Sequence, residues 1–148
     1  MREFVYSSAL PPARYHELAD LMFFNHQQQR YSDDIVDAIE RYGVPQIVVT
    51  DHSLRFSVGD LGEVQTLFAL DGDAKRGRLA GAMLYARVSE PKVVLLHIGV
   101  AHDFTSAVRS SRLLTIKMVD RLKKIGRSIK GVEELEILYG RRTSAIRL

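Results

Sequence analysis

Leu79 to Arg127 reads LAGAMLYARVSEPKVVLLHIGVAHDFTSAVRSSRLLTIKMVDRLKKIGR, and the order of its signals decides the fold. An apolar run from Leu79 to Ser89 is followed by the turn-forming Glu90-Pro91-Lys92 and by a second apolar run that ends at Ala101. Two such runs about a tight polar turn read as neighbouring strands. Val93 to Ile98 is apolar almost without a break, which marks a strand buried on both faces, in the middle of a sheet. A Ser/Thr-rich segment then opens a basic amphipathic helix over about 106–129, in which Leu114, Met118, Leu122, Ile125 and Ile129 form a stripe for packing on that sheet. A strand delivered onto a helix N-terminus gathers unpaired backbone N–H groups and the positive end of the helix dipole at one place, which suits a phosphate.

Towards the N-terminus, QIVVT, LRFSV and VQTLFALD are rich in β-branched and aromatic residues and are separated by the turn-formers DHS and GDLG, so three short strands, or one hairpin plus a strand, are expected. Before them, Pro11-Pro12 starts a helix over about 12–29, and Ser32 with Asp33 and Asp34 caps a second over about 33–42, stopped by Gly43 and Pro45. Beyond the long helix, Gly131 resets the chain. VEELEILYG reads as a strand with Val132, Leu135 and Ile137 inward, and TSAIRL adds an edge strand.

A chain of 148 residues is one domain by size, able to bury roughly 68–70% of its unfolded surface. Its 46% hydrophobic and 26% charged residues describe a soluble globular protein, and the lack of a long apolar stretch makes the cytoplasm the expected location. Without cysteine there is no disulfide, no thiolate zinc site and no thiol nucleophile. The net charge of +3 conceals a split. Residues 1–108 hold 10 Lys and Arg against 14 Asp and Glu, a net −4, and residues 109–148 hold 11 against 4, a net +7. Such a split draws a phosphate-bearing cofactor, nucleic acid, or the acidic part of a second copy to the basic end.

The order of elements, two helices, antiparallel strands, a crossover helix and a further strand, resembles the GNAT superfamily of acyl-coenzyme-A-dependent N-acyltransferases over about residues 11–139. IGVAHDFTSAVRSSRLL carries the motif-level likeness: after a central strand ending near Val100 the family places Arg/Gln-x-x-Gly-x-Gly/Ala and then a leucine pair. Here the slot is Thr105-Ser106-Ala107-Val108-Arg109-Ser110, followed by Leu113-Leu114, with Val108 and Ser110 in place of the two glycines. The resemblance implies an α/β (α+β) fold built on a mixed, mostly antiparallel sheet flanked by helices. It also implies acetyl-coenzyme A or another acyl-coenzyme A as cofactor, held by Val100, Thr105, Ser106, Ala107, Val108, Arg109, Ser110 and Arg112, and a small-molecule or peptide amine as acceptor. The family continues through a further helix and two strands, whereas this sequence stops at Leu148.

His97 interrupts the apolar central strand and is the candidate general base; the alternative is a core histidine held by a backbone carbonyl. His102 and Asp103 read as capping or solvated groups, Asp51-His52-Ser53 as a turn, and Tyr85 with Arg87 as the lining of a cleft or a half-exposed sheet face. The histidines at 16, 26, 52, 97 and 102 show no ligand spacing, so no metal site is expected. Three functional classes follow: an N-acyltransferase, a non-catalytic GNAT-like module that binds a ligand or protein, and a nucleic-acid binder. The last is weakened by the scarcity of aromatics in the basic third. The unpaired final strand and the charge split point to a homodimer through residues 132–148.

Overall fold

A computed structural model describes residues 4–23, 39–72, 77–101, 108–138 and 144–148, with the backbone alone for 108–113 and 144. The chain forms β1 (Phe4–Ser7), a 3-10 turn (Pro12–Arg14) that runs into α1 (Tyr15–Phe23), then β2 (Pro45–Val49), β3 (Leu54–Val58) and β4 (Gly62–Asp71). There follow β5 (Arg78–Ser89), β6 (Lys92–Val100), α2 (Val108–Ser128), β7 (Glu134–Ile137) and β8 (Ser144–Arg147). The strands make one sheet in the order β2-β3-β4-β5-β6-β7-β8, with β1 added to β4. All pairs are antiparallel except β6 and β7, which are parallel and joined by α2 as a crossover. This is the mixed, mostly antiparallel sheet flanked by helices that the sequence leads one to expect.

Both faces of the sheet are covered. On one face Leu18, Leu21 and Met22 of α1 meet Phe56, Phe68, Leu84, Val94 and Leu96. On the other, Leu114, Met118 and Leu122 of α2 meet Met83, Val93, Leu95 and Leu135. Burying one such Leu or Met stabilises the fold by about 1.5–3 kcal/mol, so the three-residue stripe of α2 is a principal anchor. Both helices approach the sheet closely. A Cβ on Gly81 would lie 2.7 Å from Met118 Sδ, and one on Gly99 would lie 2.9 Å from the Leu21 carbonyl oxygen.

The elements differ from the sequence reading most at the N-terminal end. The first helix is α-helical only from Tyr15, after its 3-10 opening, and residues 24–29 of the expected span lie outside the described residues. Of the second expected helix, residues 39–42 are described and helical; Gly43, at φ +105°, ends it as anticipated, its N–H donating to the Ile39 carbonyl at 2.8 Å. β1 was not expected. It pairs from Phe4↔Asp71 to Ser7↔Phe68, and Lys117 and Arg121 of α2 lie over the rings of Phe4 and Tyr6 at 5.7 and 4.3 Å. Four residues are too few for an alternation to stand out in sequence.

Candidate functional site

The parallel pair β6/β7 is the feature around which the site is built. β7 accompanies β6 from Lys92↔Glu134 to Leu95↔Ile137, and the Leu138 N–H reaches the Leu95 carbonyl at 3.4 Å. β6 then continues to Val100 and leads towards the N-terminus of α2, while β7 has ended. Ligands of open α/β sheets bind outside the carboxyl ends of such strands, where neighbouring connections part.

A bulge lies at this point. The ladder between β5 and β6 runs Tyr85↔Leu95 and then Leu84↔His97, so Leu96 is the extra residue on β6. Because the bulge resets the alternation, Leu96 and His97 both belong to the α1 face, and Ile98 and Val100 return to the α2 face. His97 is only 4% exposed, and burial pushes its imidazole down to about 4. It is therefore neutral at pH 7 and able to accept a proton, but it is a weak base.

Of the residues assigned to cofactor binding, Val100 is buried opposite Gly81 on the α2 face. Thr105, Ser106 and Ala107 lie outside the described residues, as do His102 and Asp103. Val108, Arg109, Ser110 and Arg112 fall in the first turns of α2. Val108 is the first helical residue, and the positive φ angles among the described residues occur only at glycines 43, 59, 62, 72 and 131. The described part of α2 thus runs in ordinary helical geometry from Val108.

Tyr85 and Arg87 do line a cleft, of about 500 Å³, together with Leu61, Gln65, Ile125 and Ile129. It sits on the α2 face beside the C-terminal turns of that helix, and so it is not shared with His97. Burial raises the Tyr85 phenol above its ordinary value, and the Arg87 guanidinium donates to the carbonyls of Glu90 (2.8 Å from Nε) and Lys130 (3.0 Å from Nη2). Asp51-His52-Ser53 is a turn, as expected: the Thr50 N–H donates to the Ser53 carbonyl at 3.0 Å, and Thr50 Oγ1 accepts the Ser53 N–H, also at 3.0 Å. Among the described residues no group of three or more His, Asp or Glu is placed to hold a metal ion, and no helix is long and apolar enough to cross a membrane.

One charged centre escaped the sequence reading. Glu136 of β7 is 7% exposed, and its carboxylate is held by Arg41 Nη1 at 2.7 Å and Lys92 Nζ at 2.6 Å. Burial alone would raise this carboxyl, but the hydrogen bonds from Lys92 and Arg41 outweigh it and hold the group below the usual carboxylate range. The signal was present in VEELEI. If Leu135 and Ile137 face one helix layer, Glu136 must face the other, because the neighbouring strand is buried on both sides.

No family model matches the chain, and no curated protein matches it by sequence. A solved structure, an IAA acetyltransferase from Bacillus cereus ATCC 14579, is similar at 16% identity and a TM-score of 0.42, over 91% of this chain and 65% of that one. This chain therefore spans less than two thirds of that protein's length.

Proposed function

We propose that this chain binds an acyl-coenzyme A at the carboxyl end of β6 and transfers its acyl group to an amine. The observation that carries the reading is the β6/β7 ladder, which among the described residues runs only to Leu95↔Ile137 while β6 goes on to Val100, together with a helix N-terminal region that bears Arg109 and Arg112. An extended, amide-bearing arm fits beside a strand that outlasts its parallel neighbour, and phosphates fit the unpaired amides and positive dipole of the helix. The glycine cradle of the GNAT motif is replaced by Val108 and Ser110, so the fit rests on the strand and the helix end rather than on that turn.

The cofactor, when bound, supplies a thioester-activated acyl group. The chain's own residues would then work mainly by positioning, with His97 as the proton acceptor for the attacking amine, directly or through a water. Arg109 and Arg112 would contribute charge to the phosphates. The second reading, a non-catalytic module of the same fold, is favoured by one observation: burial leaves His97 with little basicity at the place where a base is needed.

Calorimetry and thermal melts with coenzyme A and acetyl-coenzyme A test the proposal. Binding stabilises the fold by RT ln(1 + [L]/Kd), about 2.7 kcal/mol at a hundredfold excess over Kd. Silence in both measurements at millimolar ligand rejects cofactor binding. Binding without turnover over a panel of amines leaves the non-catalytic module.

A further inference from the structure

We propose that β2 is a docking edge for the β2 strand of a second copy of this chain, the two related by a two-fold axis through Val48. Among the described residues β2 pairs only with β3 and ends the sheet. It carries no charged side chain, and Val48 and Val49 are 42% and 56% exposed, with Val44 just before them at 55%. Sheet edges are normally guarded by charges, bulges or a covering loop, and this one has a single proline, at its first position.

The ladder determines which backbone groups face outward. The bond from the Thr50 N–H to the Ser53 carbonyl makes that pair a hydrogen-bonded one, and bonded and non-bonded pairs alternate along an antiparallel ladder. With the register Val49↔Leu54, Val48↔Arg55, Ile47↔Phe56 and Gln46↔Ser57, Val48 and Gln46 turn their N–H and C=O groups to β3. Ile47 and Val49 turn theirs to the free edge. Pro45 falls in the same outward set, so its missing N–H takes nothing from the β2–β3 ladder.

A second β2 centred on Val48 places Ile47 opposite Val49 of the second copy, and Val49 opposite Ile47, each pair exchanging both of its bonds. Val48 then meets its own counterpart, Gln46 meets Thr50, and Pro45 lies at the end of the pairing, where no donor is required. A register centred on Ile47 would instead set Pro45 opposite Val49 and lose a bond on each side. No like charges are opposed. At the other end of the sheet β8 follows Arg141 and Arg142 and contains Arg147, so self-pairing there would crowd cations across the interface. The edge at β2, rather than the expected one at residues 132–148, is the self-complementary surface.

The absence of cysteine makes the test clean. In a non-hydrogen-bonded pair the two Cα atoms lie about 4.5 Å apart, within disulfide range, so mild oxidation of Val48→Cys should give a covalent dimer. Gln46→Cys, whose counterpart would lie about 13 Å away along the strand, should remain uncrosslinked. Sedimentation of the full chain should show a dimer insensitive to salt, with Val48→Lys weakening it about tenfold or more while the circular dichroism spectrum is unchanged. The proposal is overturned by a monomer at every concentration. It is equally overturned by crosslinking of Val48→Cys no faster than of Gln46→Cys, or by a dimer that survives Val48→Lys and is lost on deleting residues 144–148.

Discussion

Lowering the pH below 6.5 should withdraw the stability that the buried, neutral His97 contributes. In the unfolded chain an ordinary histidine takes up its proton near 6.5, whereas in the fold burial holds the imidazole at about 4. The folded state refuses a proton that the unfolded state accepts, so the contribution to stability is complete above pH 6.5 and is lost as the pH falls towards 4. Integrating between the two values gives a loss of roughly 2 kcal/mol at pH 5 and about 3 kcal/mol near pH 4. The perturbation is His97→Gln, which retains a polar side chain of similar reach and cannot titrate. Urea unfolding followed by circular dichroism at pH 7.5, 6.5, 5.5 and 5.0 would be compared for the two proteins. Glu136 and the surface carboxylates are common to both and cancel in the difference. The stability advantage of the wild type should shrink by roughly 2 kcal/mol between pH 7.5 and 5.0. A difference that stays constant over that range would refute the reasoning, because it would mean that the fold leaves the His97 imidazole with an unperturbed proton affinity.

Arg109→Glu should abolish any rise in melting temperature produced by millimolar acetyl-coenzyme A, because it puts a negative charge in the first turn of α2; an undiminished rise would place the phosphates elsewhere. Arg41→Ala leaves the buried Glu136 carboxylate with one of its two cations and should cost about 1–3 kcal/mol in urea unfolding. Glu136→Ala, which removes the buried charge and leaves two partly exposed cations able to reach water, should cost less than Arg41→Ala, and a larger loss for Glu136→Ala would contradict the burial argument. Gly99→Ala drives a methyl against the Leu21 carbonyl, part of a backbone that cannot rotate away, and should cost about 1–3 kcal/mol by thermal melt; a neutral result would mean that α1 sits further from β6.

The sheet was legible because its signals are long. The apolar runs of β5 and β6 and the stripe from Leu114 to Ile125 on α2 each extend over many residues, Ile129 falling just past the helix end at Ser128, and the structure places β6 between β5 and β7 with both faces covered. The face of His97 was not legible. Strict alternation from Val93 would put it with Leu95 on the α2 side, and only the bulge at Leu96, a property of the β5–β6 register, moves it beneath α1. Glu136 went unnoticed for a related reason. A glutamate in a C-terminal strand reads as solvent-facing until Arg41, almost a hundred positions earlier, is brought onto it. The phosphate-facing residues of the candidate site were named from a resemblance, and three of them, Thr105, Ser106 and Ala107, lie outside the described residues.

The position of β1 bears on the order in which the molecule can assemble. Its ladder partners, Phe68 to Asp71, lie at the end of β4, and the cations over Phe4 and Tyr6 belong to α2, so every partner of this strand is distant from it along the chain. Docking this aromatic segment therefore closes a far longer loop than the short connections that join β4 to β5 and β5 to β6. Contact order thus sets β1 to join the sheet after the local β4–β5–β6 ladder has formed.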